Sequence, residues 1–246
     1  MGQIISVVSG KGGVGKTTLS VALACHLTAM GHPTLLVDTD WGMCSAGYLL
    51  ESGRNAVYTL QDVLSQRVSF FEAIVQEKGC PDFLATANAP VVSQELVLFT
   101  ELLKRAAEDY DYIVLDRPAG LDVSLEQALG KVLPLVVCTP DPMSMRGAHA
   151  MVEALTSAQC PQGRLVVNRF VPSLVQKKMA ANLEALCDEV GIGLVGIIPL
   201  DDRAATDALQ GKGHLTAPYQ KAIARIARRL TGESVPLPNL KKLLKS

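Results

Sequence analysis

Gly10-Lys11-Gly12-Gly13-Val14-Gly15-Lys16-Thr17-Thr18 joins a β-branched apolar run, Gln3 to Ser9, to a second apolar stretch, Leu19 to Met30, that ends at Gly31. That order constrains the chain more than any other feature. A strand that passes through a glycine-rich turn into a helix is the opening unit of a βαβ fold, and the turn gathers backbone N–H groups at the helix's positive end. Side chains would block such a curl, and Gly10, Gly12, Gly13 and Gly15 leave it open. Lys16 is spaced to reach the β- and γ-phosphates of a nucleotide, and the Thr17 hydroxyl to coordinate the Mg²⁺ that bridges them. The phosphate-contacting stretch is therefore expected to be Lys11, Gly12, Gly13, Val14, Gly15, Lys16, Thr17 and Thr18. Lys11 is a second lysine that phosphate binding alone does not require.

The remaining sequence alternates in the same way. Strands are expected at Gln3 to Ser9, Thr34 to Asp38, Asp82 to Ala85, Tyr112 to Asp116, Leu135 to Thr139, Arg164 to Asn168 and Leu194 to Ile198. Their continuous apolar runs suit a parallel sheet covered on both faces. Helices are expected between them, notably at Ser93 to Glu108, Met143 to Ser157, Ser173 to Val190 and Pro218 to Leu230. Right-handed crossovers place helices on both sides, so the fold class is α/β: doubly wound, with a mainly parallel sheet of seven to eight strands. Ligands then sit at the carboxyl ends of the strands. One domain is expected over residues 1–235, followed by a short tail over 236–246.

A lysine at the loop's second position, Lys11, together with Lys16 resembles the deviant Walker A motif of the MinD/ParA family of ATPases. The resemblance continues along the chain. Leu35-Leu36-Val37-Asp38-Thr39-Asp40 is similar to the family's second strand and D-x-D signature, and Tyr112-Ile113-Val114-Leu115-Asp116 to its Walker B strand. Pro118-Ala119-Gly120 looks like switch II. Val166-Val167-Asn168-Arg169 resembles the strand end that reads adenine, and Gly196-Ile197-Ile198-Pro199-Leu200-Asp201 the loop at the nucleotide's edge.

Hydrolysis of ATP to ADP and phosphate, with ATP and Mg²⁺ as cofactors, is what this resemblance implies. In the family, two subunits close face to face over two ATP molecules. Lys11 then crosses to the partner's nucleotide and neutralises charge that develops as the γ-phosphate leaves. The resemblance gives Asp40 the task of positioning the attacking water, so Lys11, Lys16 and Asp40 form the expected catalytic set. Asp38 and Asp116 each end a strand expected to flank the phosphate loop, where carboxylates and Thr17 hold Mg²⁺ directly or through water. Asn168 offers a donor and an acceptor to a base edge and, with Pro199, marks the adenine side; no N-K-x-D sequence points to GTP.

The C-terminal end carries a second signal. Leu240, Leu243 and Leu244 are spaced to share one helical face, while Lys241, Lys242 and Lys245 spread over the others. Such a segment can lie on an anionic bilayer, and it is similar to the membrane-targeting tail of MinD proteins. Three leucines bury about 5 kcal/mol at most before the cost of ordering the tail. One copy binds weakly, whereas two copies in a dimer gain about 10² or more in avidity.

Composition excludes several classes. A net charge of −1 advertises no nucleic-acid surface, and no charged n-region with an apolar h-region marks a signal peptide, so a cytoplasmic protein is expected, peripheral on the inner face of the cell membrane when ATP is bound. The six cysteines form no C-x-x-C pair, which indicates neither zinc nor disulfides, and Cys25 and Cys138 read as core filler. Lys221, Arg225, Arg228 and Arg229 read as a solvated helical face, with nonspecific DNA binding as the alternative.

Three segments depart from the MinD pattern. Gly42-Met43-Cys44-Ser45-Ala46-Gly47 stands where MinD proteins usually carry Gly-Leu-Arg-Asn-Leu-Asp in switch I, and Arg117 replaces a small residue. Arg146-Gly147-Ala148-His149 lacks the acidic character usual where MinC-like or MinE-like regulators dock. The expected function is an ATP-driven dimerisation switch that associates with the membrane and positions cell-division machinery. A ParA-like partitioning ATPase that binds DNA, or a nucleotide-gated scaffold with little turnover, are the alternatives.

Overall fold

Seven strands form one sheet in the order β3-β2-β4-β1-β5-β6-β7, and every pairing in it is parallel. The computed structural model describes residues 2–173, 183–203 and 215–237. The strands are β1 (Gln3–Val8), β2 (Thr34–Asp38), β3 (Asp82–Leu84), β4 (Tyr112–Asp116), β5 (Leu133–Cys138), β6 (Arg164–Phe170) and β7 (Leu194–Pro199). The long helices between them are α1 (Lys16–Ala29), α5 (Ser93–Ala106), α7 (Pro142–Ser157) and α9 (Ala217–Leu230), with α6 (Ser124–Leu129) and α8 (Leu183–Val190) shorter.

Alternation along each strand sorts the core onto two faces. Ile5, Val7, Val114 and Leu135 pack on the side of α1 and α9, among the fully buried Leu19, Leu23 and Leu27 of α1. On the other side Ile4, Ile113 and Leu115 meet α5 and α6, while Val8, Val136 and Leu165 meet α7 and α8. Each fully buried leucine contributes about 2 kcal/mol. Cys138 lies in this core, where burial pushes its thiol up to about 12.

Two backbone approaches are too close for a side chain. A Cβ on Gly10 would lie 2.1 Å from the carbonyl oxygen of Gly147, so the phosphate loop rests directly on the backbone of α7. A Cβ on Gly196 would lie 2.2 Å from Cγ1 of Ile226, which sets how near α9 comes to β7.

Several boundaries differ from those read off the sequence. α1 begins at Lys16 rather than beyond it, because Gly15, at φ 93°, completes the turn and leaves Lys16 and Thr17 in the first helical turn. β6 runs on to Phe170 through a shift in pairing after Val167, with Arg169 at φ 53°. The segment after β2 holds three helices of four or five residues, α2 (Ala46–Leu49), α3 (Leu60–Leu64) and α4 (Phe70–Ala73). They are too short to show a helical period, although Thr59-Asp62 and Ser69-Glu72 are capping boxes at two of their starts. Of the helix expected over Ser173 to Val190, α8 is the described part.

The basic face of α9 is not simply solvated. Arg228 pairs with Glu233 at 2.7 Å. Arg229 donates to the carbonyls of Val195, Val235 and Pro236 at 2.7, 2.8 and 2.6 Å, fastening the chain after α9 to the start of β7. The leucine and lysine tail, Leu240 to Leu244, lies outside the described residues. No helix among the described residues is long and apolar enough to cross a membrane.

Candidate nucleotide site

The loop leaves β1 at the centre of the sheet, where the chain divides towards β4 on one side and β5 on the other. Its shape is held from three directions. Ser9 Oγ donates to the Lys11 carbonyl at 2.7 Å, Asn168 Nδ2 donates to the Val14 carbonyl at 2.8 Å, and the Gly15 carbonyl accepts the first α1 bond from Leu19 N–H at 3.0 Å. The loop is thus preformed, with the positive end of α1 behind it.

Lys16 is only 7% exposed, and its ammonium donates to Ser9 Oγ at 3.0 Å. Burial lowers its pKa, while the carboxylates of Asp116 and Asp40 pull it back up. The Asp40 carbonyl accepts from Met43 and Cys44 N–H at 3.1 and 2.7 Å, closing a tight turn in which Cys44 takes a left-handed φ of 46°. Lys11 points elsewhere: its Nζ is 3.1 Å from Asp141 Oδ1 at the start of α7.

Asp38 and Asp116 face each other across paired positions of β2 and β4. Only β4 adjoins β1 on this side, so Asp38 lies one strand farther from the loop than expected. Asp38 accepts from the backbone N–H of Asp40 at 2.9 Å and of Ala46 at 3.1 Å, which wraps switch I around its carboxylate. Asp116 Oδ1 accepts from Ser20 Oγ at 2.9 Å, whereas its Oδ2 is buried without a hydrogen-bond partner. Burial raises both carboxyls, and each is raised further by a neighbouring aspartate: Asp38 for Asp116, and Asp40 for Asp38. Ser45 Oγ donates to Thr17 Oγ1 at 3.3 Å. A buried, unpartnered carboxylate oxygen beside a threonine hydroxyl and a second aspartate is an oxygen-rich set that suits Mg²⁺.

At the far edge of the site Asn168 is 3% exposed, and both ends of its amide are engaged. Nδ2 holds Val14, and Oδ1 accepts from Arg169 N–H at 2.9 Å. One Nδ2 hydrogen and one lone pair are left over for a ligand. Pro199 ends β7 nearby, two strands from β5. In switch II, Gly120 N–H donates to the Ser9 carbonyl at 3.1 Å.

Four residues of the site, and Glu126 on the opposite face of the sheet, have no role assigned from the sequence alone. Ser9, Ser20 and Ser45 hold Lys16, Asp116 and Thr17 respectively. Ser20 lies one helical turn from Lys16 and faces β4 for that reason. Asp141 carries a visible signal, since an Asp before a Pro is a common helix start, and its side chain does cap α7 at Ser144. Glu126, fully buried against Arg117, carries none.

A profile for the AAA domain matches residues 2–162. Septum site-determining protein MinD of Synechocystis is 31% identical over 96% of this chain and 92% of its own length. That of Bacillus subtilis is 32% identical over 98% and 94%. Among solved structures, the MinC:MinD cell division complex of Aquifex aeolicus matches with a TM-score of 0.86 at 30% identity, covering 96% of this chain and 98% of that one. MinD of Pyrococcus horikoshii, complexed with Mg-ADP, matches with a TM-score of 0.78 at 26% identity over 94% and 96%. Preformed loop, paired lysines, facing aspartates and near-full-length likeness agree: the chain belongs to the MinD/ParA family of deviant Walker A ATPases.

Proposed function

We propose that this ATPase is a dimerisation switch of the MinD type, joined to the membrane through its C-terminal tail and acting in the placement of division machinery. The observation that carries the reading is Asp116 Oδ2, a buried carboxylate oxygen without a partner beside Lys16 and Thr17. Thr17, Asp38 and Asp116 would hold Mg²⁺, whose charge offsets that of the β- and γ-phosphates. Lys11 to Thr18 wrap the phosphates, Asp40 orients the attacking water, and Asn168 with Pro199 borders adenine. Lys11 leaves Asp141 and reaches the partner's nucleotide when two subunits close.

A MinC-like regulator is a reasonable partner to assay, because the Aquifex relative was solved in complex with MinC. The DNA alternative has less support, since Arg228 and Arg229 are engaged within the chain. The test is co-sedimentation with anionic liposomes in ATP and in ADP, for the full chain and for a chain cut before Asn239, with phosphate release followed in parallel. ATP-dependent pelleting that truncation abolishes is expected. Phosphate release without pelleting would remove the membrane role, and salt-sensitive retention on DNA would then favour the partitioning reading.

A further inference from the structure

Arg117 follows Asp116 at the end of β4, and strand alternation turns its side chain to the opposite face of the sheet, beneath α6. There its Nε donates to Glu126 Oε1 at 2.8 Å, and Ser6 Oγ of β1 donates to the same oxygen at 2.5 Å. Its Nη2 donates to the Asp122 carbonyl at 3.2 Å. Arg117 and Glu126 are 2% and 0% exposed. A buried ion pair of this kind is often matched or exceeded in stability by apolar side chains of the same volume. Stability alone therefore does not account for the network.

Its placement does. Arg117 N–H is tied to the Val7 carbonyl of β1 at 3.3 Å, and the Arg117 guanidinium grips Asp122 and Glu126 on the far side of switch II. Between those ties only Pro118 to Leu121 remain, resting on the phosphate strand through the Gly120 bond to Ser9. Gly120 has a φ of 135°, a backbone conformation open to few other residues. Both ends of switch II are clasped while its middle reports to the residue before the phosphate loop.

We propose that Arg117 is a positioning residue for ATP turnover: with Glu126 and Ser6 it confines nucleotide-driven movement to Pro118–Leu121 and keeps α6 docked throughout the cycle. This rests on the ATPase reading above. The side chain acts from the face of the sheet away from the nucleotide, so it alters the loop's preorganisation and leaves ground-state binding alone.

The test compares the wild type with the apolar replacement Ser6→Ala/Arg117→Met/Glu126→Leu and with Arg117→Lys, by steady-state phosphate release, thermal melting, and hydrogen exchange of residues 122–129 with and without Mg-ATP. The triple variant is expected to melt no lower than the wild type, to lose between about tenfold and a hundredfold in kcat with KM within about twofold, and to show nucleotide-dependent exchange over 122–129. Arg117→Lys, which keeps the charge but cannot grip Asp122 and Glu126 together, should fall between them. An unchanged kcat in a folded triple variant overturns the proposal. Should the triple variant fail to fold, an Arg117→Lys protein with wild-type kcat and exchange overturns it instead. A wild type that releases no phosphate sinks the ATPase reading, and the clasp's role with it.

Discussion

Lys11 Nζ stands 3.1 Å from Asp141 Oδ1, so the lysine that marks the family is paired within its own subunit. Both side chains are 45% exposed, which keeps the pair's contribution below about 1 kcal/mol. A tether that weak can be exchanged for a phosphate in trans. The carboxylate is also the cap of α7, accepting from Ser144 N–H at 3.0 Å, so the resting place of the lysine and the start of the helix are one group.

Asp141→Asn separates those two duties. Asparagine can still cap α7, so stability should change by no more than about 0.5 kcal/mol. Lys11 loses its counter-charge, and the ATP-dependent dimer should tighten by up to about fivefold in analytical ultracentrifugation. A weaker dimer would show that Asp141 supports closure rather than delaying it.

Asp116→Asn should stabilise the metal-free protein while removing its response to Mg²⁺. Burial and the Asp38 charge raise the Asp116 carboxyl from 3.8 to about 7. With the folded value above the unfolded one, its stabilising contribution is complete below pH 3.8 and is lost as pH climbs to about 7. Asparagine carries no such loss. At pH 8 without metal the variant should melt a few degrees higher, about 2–4 °C per kcal/mol recovered, and the gap should close by pH 4. Calorimetric melts that show the reverse order would mean that the two aspartates do not repel as their positions imply.

Gly196→Ala tests the approach of α9 to β7. Its Cβ would fall 2.2 Å from Ile226 Cγ1 and 2.5 Å from Cδ1. A loss of about 1–3 kcal/mol is expected in denaturant titration. Ile226→Ala, which opens a cavity, should cost about 2–5 kcal/mol alone. Together they should cost less than the sum by at least about 1 kcal/mol, since each relieves the other. Strict additivity would place the clash elsewhere.

Asn168→Ala should weaken ATP by about tenfold or more, because the Val14 carbonyl loses its donor and the loop its brace. If the remaining amide hydrogen faces adenine, GTP affinity should fall less. Equal losses for ATP and GTP in titration calorimetry would leave Asn168 with the loop alone.

The phosphate loop and the parallel sheet were legible because their signals are local. Glycine spacing fixes a turn, and apolar runs such as Leu35 to Val37 are long enough to mark buried strands. Asp116 could be found as the last residue of such a run. What escaped is whatever depends on which distant element lies opposite. Glu126 sits 120 residues from Ser6, and nothing near it in sequence announces a buried acid. Asp38 could be placed at a strand end, but its position one strand farther out follows from sheet order, which β4 decides by inserting between β1 and β2. The short helices after β2 were missed for another reason: four residues make barely one helical turn, too few for an apolar pattern to repeat.

The grip of Arg229 gives the domain two addresses. Val195, where that arginine fastens the chain, belongs to the start of β7, while Lys16, Asp116 and Asn168 lie where the strands finish. From Val195 to the end of β7 at Pro199 the strand rises about 13 Å. The chain at Pro236 thus lies at the end of the sheet away from Lys16, Asp116 and Asn168.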